Sequence, residues 1–219
     1  MKSTARAQIA VLAALMFCAG IASGLDWRAL LLLKLVPVAA ALDWLRVASE
    51  PGRYRWWIGL GLVLSLLGDA LLALPQDRFI LGLVAFLCAH LAYVAGYFGR
   101  SCAFAAGWLA VALLLVASML FTLNRFGELG PMSLPVSVYA GVIGAMLWRA
   151  GALSRLDRAG RWALLGAALF VASDAVLAWN RFVAPDPALR YVNILLYWFG
   201  QWGIAASAVE HRAQTASRL

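Results

Sequence analysis

Ser65-Leu66-Leu67-Gly68-Asp69-Ala70-Leu71-Leu72-Ala73 sets one carboxylate inside a run, from Ile58 to Leu74, that is otherwise apolar enough to cross a bilayer. An ionised aspartate at the centre of a membrane helix costs about 3 kcal/mol on insertion scales, so a chain that carries one has a partner or a use for it. The stretch has an echo in Ser173-Asp174-Ala175-Val176-Leu177-Ala178, again within a long apolar run. Two acids at membrane depth, in near-repeated contexts, define both the fold class and the first candidates for chemistry.

Composition agrees. Of 219 residues, 64% are hydrophobic and 13% charged, with a mean hydropathy of +0.85. Soluble domains are about half apolar and a quarter charged, so the expectation is an all-α, polytopic membrane bundle, with 1–219 as a single integral membrane domain. A net charge of +8 would point to nucleic acid in a soluble protein. In a membrane protein the same charge follows from arginine in cytoplasmic loops, and no nucleic-acid partner is expected. Cys18, Cys88 and Cys102 lack metal-ligand spacing and are read as small residues filling helix contacts. The N-terminal run to Ala22 resembles a leader but is long enough to span, and it is read as a retained helix.

A span needs about 20 mostly apolar residues. Eight windows qualify: Ala5–Ala22, Ala29–Ala48, Trp56–Leu74, Phe79–Phe98, Cys102–Phe121, Met132–Trp148, Arg161–Trp179 and Leu189–Ala208. The N-terminus, the even-numbered loops and the C-terminus hold Lys2, Arg6, Arg46, Arg53, Arg55, Arg100, Arg149, Arg155, Arg158, Arg161, Arg212 and Arg218. The opposite side holds only Arg28, Arg78, Arg125, Arg181 and Arg190, which places both termini in the cytoplasm. The third and seventh spans both run outward and share the Asp-Ala-aliphatic-Leu-Ala signature. Each is followed by a returning span with a polar group at mid-depth, His90 or Gln201. That pattern reads as a parallel repeat of four plus four helices.

At a rise of 1.5 Å per residue, Asp69, Asp174 and Lys34 all lie about 8 Å below the outer boundary, with His90 and Gln201 about 17 Å down. Helical spacing puts Ser65 with Asp69, Ser173 beside Asp174, His90 with Tyr93, and Asn193, Tyr197 and Gln201 in one stack. These groups are expected to share a cavity opening toward the outer leaflet. Each also has a plainer reading: the serines, Asn193 and Gln201 as helix–helix hydrogen bonds, His90 and Tyr93 as interhelical contacts, and Lys34 snorkelling outward. Asp43 is expected to pair with a loop arginine. The aspartates differ from the rest, because Lys34 can neutralise only one of them.

Other chemistries lack their residues. Zinc hydrolases need several histidines, and this chain has two, so no metal or other cofactor is expected. There is no Gly-x-Ser-x-Gly elbow and no phosphate-cradling glycine loop. What stays open is acid–base chemistry by two carboxylates, or ion and solute binding by the same groups.

At these residues the chain resembles the lysoplasmalogenases, the YhhN-like integral membrane proteins. The motifs that carry the likeness are Lys34-x-x-Pro37, Ser65-Leu-Leu-Gly-Asp69-x-Leu-Leu, and Phe79-x-x-Gly82-x-x-x-Phe86-x-x-x-His90-x-x-Tyr93. Ser173-Asp174-x-x-Leu177-Ala178 and the segment from Tyr197 to Gln201 complete it. The resemblance implies an eight-span enzyme that hydrolyses the vinyl ether of lysoplasmalogens, releasing a fatty aldehyde and a glycerophospho-ethanolamine or -choline. It implies Asp69 and Asp174 as the catalytic pair, one the acid and the other stabiliser and base. Lys34, Ser65, His90, Tyr93, Ser173, Asn193, Tyr197 and Gln201 are the candidate substrate contacts. A lysophospholipid and the surrounding membrane lipids are then the partners, and the location is multi-pass in the cell membrane, the inner one in a bacterium. Two other classes compete: a proton-coupled transporter using the same acids as a relay, and a non-enzymatic lipid-binding protein. Aldehyde release in detergent separates an enzyme from both.

Overall fold

The computed structural model describes residues 3–216, with side chains for 4–211. Lys2, Arg218 and the side chain of Arg212, which entered the charge comparison, lie outside the described residues. Among the described residues the chain forms eight α-helices and no strand. They are α1 (Ser3–Ala22), α2 (Trp27–Ala48), α3 (Arg53–Ala73), α4 (Phe79–Arg100), α5 (Ala106–Phe126), α6 (Ser133–Ser154), α7 (Arg158–Phe182) and α8 (Leu189–Ala216). A 3₁₀ turn, Gly130–Met132, leads into α6. Six of the eight, all but α2 and α8, are long and apolar enough to cross a membrane, and they make the chain an integral, multi-pass membrane protein. The other two are long enough but carry polar groups along their length: Lys34 and Asp43 in α2, Asn193 and Gln201 in α8.

The fifth window shifts most. Its helix begins at Ala106, not Cys102, because the carbonyls of Ser101 and Ala103 accept hydrogen bonds from the fully buried Arg149 of α6. That guanidinium also lies 4.2 Å from the Phe98 ring centroid, which helps a cation with no water around it.

Small residues set the helix contacts, as expected where lipid offers no hydrophobic driving force between helices. A Cβ on Gly166 of α7 would stand 2.5 Å from the backbone nitrogen of Ile204 and 2.7 Å from the Gly200 carbonyl oxygen, so α7 and α8 touch backbone to backbone. Between α3 and α4, Gly61 and Gly68 leave room for the rings of Tyr93 and Phe86. In α2, Pro37 removes a helical N–H and disturbs the ladder. Nearby, the carbonyls of Lys34 and Pro37 accept the indole N–H groups of Trp198 and Trp202, at 3.2 and 3.1 Å. These bonds lock α2 against α8.

α1 belongs to the same bundle: Phe17 is buried edge-on against Trp198. Asp43 pairs with Arg6 of α1 at 2.7 Å rather than with a loop arginine, because antiparallel α1 and α2 bring the start of one beside the end of the other. The cysteines also differ from expectation. Cys88 and Cys102 are exposed and only Cys18 is partly buried, since each falls on or near an outward face. Exposed apolar side chains such as Leu114 and Phe121 leave α5 with an apolar outer face that suits hydrocarbon.

Candidate active site

Asp69 sits in the last third of α3, 1% exposed, on the face opened by Gly68. Two groups from two other helices meet its carboxylate. The Lys34 ammonium of α2 lies 2.9 Å from Oδ1, and the Tyr197 hydroxyl of α8 donates to Oδ2 at 2.5 Å. A buried carboxylate is tolerable only when paired and hydrogen-bonded, and here a cation and a phenol do both. Lys34 is therefore not free to snorkel; it is spent on Asp69.

Asp174 occupies the corresponding place in α7 but has a different partner. Tyr139 of α6 donates its hydroxyl to Oδ2. Among the described residues no cation pairs with Asp174, and it is half-buried where Asp69 is enclosed. The two acids are thus unlike: one is held by an ammonium and a phenol, the other by a phenol alone.

Tyr139 was not among the sequence candidates. The depth arithmetic that places Lys34 would have placed it too, six residues into α6, but its partner depends on α6 lying beside α7.

Both carboxylates line one cavity of about 1120 Å³, enough for a lipid-sized ligand. Lys34, Tyr139, Tyr197, Ser173 and Asn193 share the wall with them. At one end the lining is polar and aromatic, with Trp27, Trp179, Asn180, Arg181 and Arg190. At the other it runs between α5 and α6 over Leu115, Val116, Ile143 and Leu147. One site therefore joins a charged mouth, two acids and an apolar arm, the order of parts in a single-chain amphiphile.

The remaining candidates fall into two groups. Ser173 and Asn193 bond each other: Ser173 Oγ donates to the Asn193 carbonyl at 3.0 Å, and Asn193 Nδ2 donates to the Ser173 carbonyl at 2.8 Å and to its Oγ at 2.9 Å. They fasten α7 to α8 at the level of Asp174. Ser65, His90, Tyr93 and Gln201 do not line the cavity; they form a layer behind it. Tyr93 donates to Gln201 Oε1 at 2.8 Å and lies 3.5 Å from Ser65 Oγ. The His90 ring is wholly buried, 4.6 Å from Phe170 and 5.3 Å from Tyr139 between centroids. Among the described residues Ser65, Ser173 and His90 make no hydrogen bond to either aspartate; tyrosines donate to both. The phenol hydroxyl stands far from its own backbone and so reaches a carboxylate on another helix, while Ser65 and Ser173 meet other polar groups of the neighbouring helices.

The family model described as the YhhN family matches residues 26–208. The chain is 35% identical over 182 residues to lysoplasmalogenase TMEM86B of Rattus norvegicus, covering 81% of this chain and 72% of that protein. It is 38% identical over 185 residues to lysoplasmalogenase TMEM86B of Homo sapiens, covering 84% and 77%. A lysoplasmalogenase of Mycobacterium tuberculosis (strain CDC 1551 / Oshkosh) is 36% identical over 159 residues, 69% of this chain and 59% of that one. No solved structure matches the chain.

Proposed function

Because the chain belongs to the YhhN family, whose relatives above are named lysoplasmalogenases, we propose that it hydrolyses the vinyl ether bond of lysoplasmalogens through Asp69 and Asp174. The observation that carries this reading is the unequal pair on one cavity wall: Asp69 beside Lys34 and Tyr197, Asp174 beside Tyr139 alone.

A vinyl ether is hydrolysed by proton transfer to its β-carbon, which leaves an oxocarbenium ion. The step needs a neutral acid and a nearby anion, the division of labour found between glycosidase carboxyls. Asp174, with no cation beside it, is the acid. Tyr139 holds Oδ2, which leaves Oδ1 to carry the proton toward the cavity. Asp69, kept ionised by Lys34, faces the developing cation. After transfer Asp174 is a carboxylate and takes a proton from water as that water adds to the oxocarbenium carbon. The hemiacetal then collapses to fatty aldehyde and the free glycerol hydroxyl. Ser173 and Asn193 hold the α7–α8 wall at this level, and the layer of Ser65, His90, Tyr93 and Gln201 fixes the helices behind it.

The helices around both acids, α3 and α7, run unbroken, which favours an enzyme over a transporter built on interrupted spans. Purified protein in detergent is expected to release fatty aldehyde from a lysoplasmalogen and to leave the ester-linked lysolipid intact. Cleavage of the ester lipid would overturn the assigned chemistry.

The same reading takes all eight helices as spans with cytoplasmic termini. α2 and α8 escape a purely apolar criterion because they carry the polar partners: Lys34 and Tyr197 reach Asp69, and Gln201 reaches Tyr93, all inside the bundle. A four-plus-four repeat is supported by the pairing of neighbours. α1 with α2, α2 with α3 and α3 with α4 correspond to α5 with α6, α6 with α7 and α7 with α8. Each aspartate takes a partner from the preceding helix, Lys34 for one and Tyr139 for the other. Cysteines introduced at positions 77 and 186 are expected to react with an impermeant reagent outside the cell, and one at 155 only after permeabilisation. The reverse pattern would overturn the topology.

A further inference from the structure

Three basic side chains line the cavity, and two are already engaged. Lys34 pairs with Asp69, and Arg181 pairs with Asp77, at 3.0 Å to Oδ2 and 3.3 Å to Oδ1. Arg190 is different: among the described residues it makes no ion pair with a carboxylate, and its guanidinium lies 5.9 Å from the Phe17 ring centroid. It stands at the charged mouth, in the first turn of α8.

Its register on that helix is informative. Arg190, Asn193 and Tyr197 follow at spacings of three and four, so they share one face, and all three line the cavity. That face is a ladder of polar groups descending from the mouth to Tyr197, which holds Asp69. Seven residues separate Arg190 from Tyr197, about 10 Å along the axis. The three-carbon glycerol between a vinyl ether oxygen and a phosphate, together with the reach of the two side chains, spans a distance of that order.

We propose that Arg190 is the phosphate-binding residue of this site, taking the singly charged phosphodiester of a lysophospholipid at the mouth while the ether reaches the acids below. The inference rests on the lysoplasmalogen reading for its substrate class, but its ligand chemistry is a phosphate at a fixed height above the acids. A guanidinium matches that chemistry: it is planar, permanently charged, and presents paired donors to two oxygens. Anchoring the head group there would set the depth at which the chain enters the apolar arm, and so which carbon lies against Asp174.

The test uses two ligands that the enzyme cannot cleave, 1-O-alkyl-glycerophosphocholine and the neutral 1-O-alkylglycerol of the same chain length, bound to the full chain in nanodiscs. Inorganic phosphate and glycerophosphocholine serve as competitors. The parent protein is expected to prefer the phosphate-bearing ligand, and Arg190→Gln is expected to cut that preference by about 10–100-fold, the worth of a charge-assisted hydrogen bond. Arg190→Lys, which keeps the charge but loses the fork, is expected to fall between. Competition by glycerophosphocholine at much lower concentration than by inorganic phosphate marks a head-group site rather than a general anion site.

If Arg190→Gln retains the full preference, the proposal is overturned. It is equally overturned if the variant loses affinity for both ligands in the same proportion, because the residue is then structural. Aldehyde release from lysoplasmalogen is measured separately on the parent protein. Its absence overturns the vinyl ether reading, whatever the binding ratio.

Discussion

Asp174→Asn is expected to lower aldehyde release by at least about 10²–10⁴-fold, the range typical of a lost general acid or base. Asparagine keeps the shape of the side chain and still offers an oxygen to the Tyr139 hydroxyl, so the contact between α6 and α7 survives. What it lacks is a proton acidic enough to give to carbon. Asp69→Asn is expected to fall by a comparable factor for another reason: the acid stays, but the anion opposite the developing cation is gone. Infrared difference spectra distinguish the two roles. A carboxylic C=O band in the parent protein should vanish in Asp174→Asn and persist in Asp69→Asn. Loss of the band in Asp69→Asn alone would reverse the assignment, and full activity in either variant would remove the pair mechanism altogether.

The second large effect is on stability. Lys34→Met is expected to destabilise the fold by about 3–5 kcal/mol, because removing one partner of a buried pair strands the other charge. Asp69 is 1% exposed and the Lys34 side chain 16%, so little water reaches the carboxylate to replace the lost contact. Tyr197 still donates to Asp69, but a single neutral donor does not replace an ammonium. The double variant Lys34→Met with Asp69→Asn should recover most of the lost stability, since no charge is then left unpaired, while activity stays lost. Equilibrium unfolding of the single and double variants in one detergent measures this coupling. Additive losses in the double variant would mean that the ion pair contributes nothing.

These variants also separate what was legible in the chain from what was not. The two aspartates, their heights along their helices and the basic residue level with Asp69 are readable from one-dimensional arithmetic. A helix rises by a fixed amount per residue, and an apolar run must align with the bilayer. The helices follow for the same reason, and so does the likeness to the YhhN family, because its motifs are runs within single helices.

Partner choice was not legible. Lys34 answers Asp69 and not Asp174 because α2 lies against α3, and Asp174 receives Tyr139 because α6 lies against α7. His90 lies on the same helix as Phe79, Leu83 and Phe86, which line the cavity, yet its own ring packs against Phe170 and is not part of the lining. Periodicity gives the height of a side chain and its angle about its own helix axis. Which helix stands across from that angle is set by close contacts such as Gly166 against Gly200 and Ile204. Those contacts join residues far apart in the chain, and so only the folded bundle decides which acid is left without a cation.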